Sequence, residues 1–277
     1  MIGYLKAKLA KHKLLQTPQE FGHEIRTLAV PGYGDIAYAQ WLNPFVYEPW
    51  IGEGHLAWFE RFISKGDLVV DIGANVGDTA IPMALAAGPN GIVLALEPNP
   101  RTFEILVINA TLNSDKMHIV PLNCAATERD GDFFYHSSEA TFSNGGLSAV
   151  DSSEHGRYAL EEKVRGINLA AYLRNHHPDA LPSLSLIKID TEGNDHEVIL
   201  TLADIIFEYR PVVMFECFKR VARAERFGLF EIFDREDYIL FNTDAPTVPL
   251  LRADMTKWRH FDVVAEPRDR PTAPLSS

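Results

Sequence analysis

Leu68-Val69-Val70-Asp71-Ile72-Gly73-Ala74-Asn75-Val76-Gly77-Asp78 runs from an apolar triplet straight into a glycine-punctuated turn. Such a triplet fits a parallel strand covered on both faces, and Thr79 to Ala87, rich in Ala, Ile, Leu and Met, fits the helix that follows. Glycine at 73 and 77 permits dihedrals that a Cβ forbids and lets backbone approach a ligand, whose polar groups then meet free turn N–H groups. The spacing reads Gly73-x-Asn75-x-Gly77, so the Gly-x-Gly-x-x-Gly turn that cradles a pyrophosphate is absent. Asp78 complements the dipole of the new helix and would repel a phosphate. A ligand with a cationic or zwitterionic end suits this turn better.

The pattern repeats along the chain. Ile92 to Leu96 reads as a second strand, with Glu97-Pro98-Asn99-Pro100 at its end and a helix from Arg101 to Leu112. A carboxylate such as Glu97, at the carboxyl end of the second strand of a doubly wound sheet, is placed to hydrogen-bond a ribose diol. His118 to Leu122 reads as a third strand. Asn123-Cys124-Ala125-Ala126 follows, where such folds place the groups that meet an adenine ring, which makes Asn123 and Ala125 candidates. Residues 127 to 166 break the alternation and read as an inserted hairpin over the mouth, with His136, Ser143, Asn144 and Ser148 as candidate contacts. Helix Asn168 to His176 and strand Leu184 to Ile189 lead to Asp190-Thr191-Glu192-Gly193, then to one amphipathic helix from Asp195 to Phe207. Pro211 to Phe215, a helix at Phe227 to Arg235, and strands at Tyr238 to Phe241 and His260 to Val264 complete a sheet of about seven.

Three ordered blocks carry a resemblance. Asp71-Ile-Gly-Ala-Asn-Val-Gly77, Glu97-Pro-Asn99 with Asn109, and Lys188-Ile-Asp-Thr-Glu-Gly193 with Asp195 and Glu197-Val198 resemble the FkbM-type S-adenosylmethionine-dependent methyltransferases. The resemblance extends from about Phe45 to about Glu216. It implies a Rossmann-like seven-stranded methyltransferase sheet with helices on both faces and an inserted hairpin. It also implies S-adenosyl-L-methionine as cofactor, with its methionine part at Gly73, Asn75 and Gly77 and its ribose on Glu97. The cofactor contacts expected around these are Asp71, Asp78, Thr79, Pro98, Asn99, Asn123, Ala125 and Asp190. The family's glycine after the helix that follows the third block is replaced by Thr201-Leu202, a departure confined to a helix end.

Two carboxylates, Asp190 and Glu192, stand at the mouth of the expected sheet and are the leading candidates to orient or deprotonate an acceptor hydroxyl. His196, or His136, is the alternative base, since histidine titrates near neutrality. The implied reaction is methylation of a hydroxyl oxygen on a sugar or secondary metabolite, so the partner is a small-molecule or glycan acceptor. An NAD(P)-dependent oxidoreductase on a similar sheet is the runner-up, and a non-catalytic binding module is the third reading.

Composition narrows the classes. With 277 residues and 46% apolar content the chain can bury one sizeable core. Its net charge of −12 argues against a nucleic-acid partner, because phosphate binding relies on Lys and Arg. No run of eighteen apolar residues exists, so no membrane span is expected. The two cysteines, Cys124 and Cys217, sit in strand-like surroundings, and no metal spacing is visible. Met1 to Gln16 reads as a basic amphipathic helix without the apolar core of a signal peptide, solvated or in contact within a homo-oligomer, with contact to a membrane surface or a partner as the alternative. The organisation expected is a helical and aromatic cap over residues 1–60, a methyltransferase domain over 61–264, a disordered tail over 265–277, and a cytoplasmic location.

Overall fold

The computed structural model describes residues 16, 17, 19–46, 49, 51–148, 150, 151 and 156–269. The expected basic helix up to residue 15, Tyr47 and Trp50 of the aromatic segment, and the tail from residue 270 lie outside the described residues. An antiparallel hairpin comes first, β1 (His23–Val30) and β2 (Gly34–Trp41), then α1 (Glu53–Glu60). The segment expected to be a helical cap is therefore largely β, and its Trp41 is buried on the hairpin. Alternation follows through β3 (Leu68–Ile72), α2 (Ala80–Ala87), β4 (Ile92–Leu96), α3 (Pro100–Thr111) and β5 (Ile119–Leu122).

The insert is larger than a hairpin. Strands β6 (Ala125–Ala126), β7 (Gly131–Ser137), β8 (Gly146–Ser148), β9 (Tyr158–Ala159) and β10 (Val164–Ile167) form a separate sheet in the order β6-β10-β7-β8, with β9 also on β7. Several of these strands are too short to show an alternating pattern. After it come α4 (Leu169–His176), β11 (Leu184–Ile189), α5 (Asp195–Thr201), α6 (Ala203–Tyr209), β12 (Val212–Cys217), α7 (Arg223–Arg235), β13 (Tyr238–Asn242), β14 (Ala245–Pro249) and β15 (Phe261–Pro267). The single helix expected over Asp195 to Phe207 is broken at Leu202, whose amide still donates to Val198 and Ile199. No glycine or proline marks that break.

The central sheet has eight strands in the order β14-β13-β15-β12-β11-β3-β4-β5. The sheet has one strand more than the seven expected, β14 pairing at the edge with β13. The strands from β5 to β12 are parallel, and β15 runs antiparallel between β12 and β13. Strand β15 also carries the ordered chain past the expected boundary at residue 264. Alternate residues face opposite layers. Val70, Ile72, Leu94, Leu96, Ile187 and Phe215 pack with α4 to α7, whereas Val69, Val93, Ala95, Leu186, Met214 and Val264 pack with α1 to α3 and the hairpin. Helix α2 is buried throughout, consistent with its lack of polar side chains.

The chain steps outward from β3 to β4 and β5, then crosses back to place β11 on the other side of β3. The switch point is thus the carboxyl end of β3 and β11, where sheets of this kind hold ligands. Asn109 locks the hairpin to that point. Its amide oxygen accepts from Ala39 N at 2.7 Å, and its nitrogen donates to Val76 O at 2.8 Å and Ala39 O at 3.2 Å.

Candidate active site

The turn after β3 is built on positive φ. Gly73 has φ +82°, Asn75 +49° and Gly77 +92°, and Asn is among the few residues that tolerate the left-handed region. The glycines serve the protein's own packing more than ligand space. A Cβ on Gly73 would lie 1.9 Å from the Asp190 carbonyl oxygen, and one on Gly77 would meet Leu106 at 3.0 Å. The amides expected to be free are engaged: Gly73 and Ala74 donate to Leu96 O, Asn75 to Glu97, and Gly77 to Ala74 O.

A cleft of about 790 Å³ opens over this turn. The turn contributes Gly73, Asn75, Asp78 and Thr79 to its walls, the loop after β4 contributes Glu97, Pro98 and Asn99, and Ala125 stands behind them. Asp190 and Glu192 line the opposite side, and Tyr135, Ser143, Asn144 and Ser148 of the insert form a further wall. Asp71, Gly77, Asn123 and His196 do not line it. Asn123 instead donates to the carbonyls of Glu97 and Pro98 at 2.8 and 3.2 Å, holding the loop after β4. His136 is buried with its Nε2 3.0 Å from Asp151 Oδ1, and also stays out of the cleft.

Glu97 is 6% exposed, with Oε2 accepting from Asn75 N and Oε1 from Asn99 N, both at 2.8 Å. Burial pushes its pKa up to about 7, against the amide of Asn99, the Thr102 side chain and the amide of Asn75, which pull it down. A carboxylate has about four lone-pair sites, so two remain for hydroxyl donors. Beneath the turn, Asp71 Oδ2 accepts from Thr79 Oγ1 at 2.8 Å, and its Oδ1 faces Lys188 Nζ at 3.5 Å. Burial raises the Asp71 pKa, and the Lys188 charge opposes the rise.

Lys188 was not singled out by its position in the motif, yet it stands between two acids. Its Nζ also lies 3.3 Å from Asp190 Oδ2. Burial alone would lower its pKa, but Asp190, Asp71 and Asp78 outweigh burial and raise it, so the ammonium stays charged. Strand period would have flagged it, because Lys188 and Asp190 are two residues apart and share a face. The Asp190–Gly193 turn is pinned by Asp195, which accepts from Thr191 N at 2.9 Å, from the Thr191 hydroxyl, and from Glu216 N at 3.2 Å. Glu192 itself has φ +57°, a conformation that costs a non-glycine residue roughly 1–2 kcal/mol. Desolvation, then the neighbouring Asp190 charge, raise its pKa.

A doubly wound sheet with acids at its switch point defines a Rossmann-like α/β protein. The methyltransferase FkbM domain model matches residues 71–239, well over half of the chain, and the chain belongs to this methyltransferase family. Methyltransferase sdnD of Sordaria araneosa is 24% identical over 158 residues, which are 50% of this chain and 61% of that protein. Among solved structures, the methyltransferase FkbM of Methylobacillus flagellatus KT aligns with a TM-score of 0.45 at 14% identity, over 74% of this chain and 44% of that one. TYW2 of M. jannaschii, in complex with AdoMet, aligns with a TM-score of 0.40 at 15% identity, over 90% of this chain and 87% of that one. The chain thus spans less than two thirds of the first two relatives' lengths. No helix among the described residues is long and apolar enough to cross a membrane.

Proposed function

We propose that this methyltransferase uses S-adenosylmethionine to methylate a hydroxyl oxygen on a small-molecule or glycan acceptor. The observation that carries the reading is one cleft with a buried, doubly anchored Glu97 on one side and the solvent-facing Asp190 and Glu192 on the other. The residues fit the cofactor on chemistry. Glu97 has lone pairs left for a ribose diol, and Asn75 Oδ1 is buried without a partner, an acceptor suited to an ammonium or hydroxyl. The turn Gly73-x-Asn75-x-Gly77 lacks the middle glycine of Gly-x-Gly-x-x-Gly and argues against a nicotinamide dinucleotide, whose pyrophosphate needs that close approach.

When bound, S-adenosylmethionine supplies an electrophilic methyl on a sulfonium. Every other requirement falls to the chain. The Lys188–Asp190 pair fixes one carboxylate beside the glycine turn, where it orients the reacting groups; holding two reactants in line is worth up to roughly 7–11 kcal/mol. Glu192, with its raised pKa, is the better-matched base. Glu192 would take the hydroxyl proton as the acceptor oxygen attacked the methyl that the cofactor would supply, the carbon–sulfur electron pair staying with the departing sulfur. The insert closes one wall and selects the acceptor.

Calorimetry with S-adenosylhomocysteine and with NAD tests the cofactor. Binding of the sulfur ligand and not NAD is expected; tight NAD binding without any response to the sulfur ligand would overturn the reading. Mass spectrometry of an extract treated with methyl-labelled cofactor then reports whether the label resides on oxygen.

A further inference from the structure

A second group of side chains stands beside the acceptor acids on the same face of the sheet. Ile189 and Phe215 are register partners on parallel strands, so Asp190, just past β11, and Glu216, within β12, lie side by side. Glu216 is paired directly with Asp262 on antiparallel β15, which projects both side chains to one face, and His260 lies just before that strand. One ligand atom from each of Glu216, His260 and Asp262 falls within 4.8 Å of the others. A single six-coordinate cation with bonds near 2.1 Å needs donor separations of roughly 3–4 Å, so the three are close to a shared sphere without backbone movement.

An ion pair accounts for only part of this arrangement. His260 Nε2 contacts Glu216 Oε1, but Oε2 of the same carboxylate is buried and has no hydrogen-bond partner. The Glu216 side chain is 11% exposed, so little water reaches that oxygen. The nearby ammonium of Lys188 is committed to Asp71 and Asp190, and among the described residues no Lys or Arg forms an ion pair with Asp262.

We infer that Glu216, His260 and Asp262, which lie outside the cleft lining but close to Asp190 and Glu192, bind a divalent transition-metal cation. One imidazole and two carboxylates favour manganese, iron, cobalt or zinc over magnesium, which prefers oxygen alone. Three protein ligands leave positions open, as at metal sites that meet substrate. The acceptor chemistry that fits is a pair of adjacent oxygens, a vicinal diol or a hydroxyl beside a carbonyl, able to chelate the ion next to Glu192. Its placement in catalysis rests on the proposed transfer to oxygen; the binding itself does not.

The full chain, stripped with chelator and dialysed, is titrated with Mn²⁺ and followed by electron paramagnetic resonance, with S-adenosylhomocysteine affinity measured on the same samples. One Mn²⁺ per chain is expected, with nitrogen hyperfine coupling from the imidazole. His260→Ala should abolish the nitrogen coupling, and His260→Ala and Asp262→Asn should each weaken Mn²⁺ at least ~10-fold, the loss that even outer-shell changes commonly produce. Melting temperature and S-adenosylhomocysteine affinity should stay close to those of the parent. Substoichiometric binding, or Mn²⁺ affinity unchanged in both variants, would reduce the triad to a surface ion pair. Mn²⁺ binding with no S-adenosylhomocysteine binding would instead sink the cofactor reading and leave the metal site standing.

Discussion

The two walls of the cleft are built in opposite ways. On the turn side, Glu97 is 6% exposed and both its oxygens are held by backbone amides, while Gly73 lies against the Asp190 carbonyl with no room for a Cβ. On the side proposed to meet the acceptor, the Asp190 side chain is 47% exposed and is steadied by one lysine, and Glu192 sits in a left-handed turn. A site that must bind one fixed ligand can be rigid and internally satisfied. If that side takes the acceptor as proposed, its polar groups stay toward solvent for exchange, and the insert supplies its shape.

That contrast fails most visibly if the acceptor side does no chemistry. Glu192→Gln keeps size and hydrogen bonding but removes the base, so turnover should fall 10²-fold or more with S-adenosylhomocysteine affinity nearly unchanged. Asp190→Asn should lower both, because it breaks the Lys188 pair that abuts the turn. Single-turnover assays with calorimetry separate the two, and equal losses in both variants would erase the division of roles. Next in size, Gly73→Val should cost at least ~3 kcal/mol of stability, combining left-handed strain with the clash on the Asp190 carbonyl. Thermal or urea unfolding measures it, and a Val variant of parental stability would show the two walls to be separable.

Glu97→Ala should weaken S-adenosylhomocysteine binding by about 1–3 kcal/mol if charged hydrogen bonds to the ribose are lost. The smallest effect is on pH. The folded pKa of Glu97, about 7, lies above its ordinary value of 4.5, so the folded chain retains a proton that the unfolded chain releases between those values. This group's contribution to stability therefore declines as pH rises from about 4.5 to 7 and then levels. Ligand affinity moves the other way, because ribose hydroxyls donate to the ionised form; binding should weaken by up to about tenfold from pH 7 to pH 6. Calorimetric titrations at pH 6, 7 and 8 test this, and Glu97→Gln should flatten the profile. A flat profile in the parent would mean that Glu97 is already ionised or does not meet the ligand.

Elements whose signal is local were legible. The strands at 68, 92 and 184 and the helices after them follow from apolar runs, the helix start at Pro100 from a proline and an Asn99 cap that accepts from Arg101 N, and the Gly73–Gly77 turn from residues that alone tolerate its dihedrals. The chain by itself thus determined the alternation, the turn and the acids at the strand ends. What the turn amides and glycines do was not in the sequence: the amides bond Leu96 O and Glu97, and Gly73 leaves room for the Asp190 carbonyl, partners fixed only when β3 lies between β4 and β11. The insert's sheet, the break at Leu202, the edge strand β14, and the approach of Glu216 to Asp262 and His260 were likewise decided by tertiary structure. The β6–β10 pairing of the insert and the approach of Glu216 to Asp262 depend on segments far apart in the chain, and a hydrogen bond between distant strands leaves no period in either one for a linear reading to find.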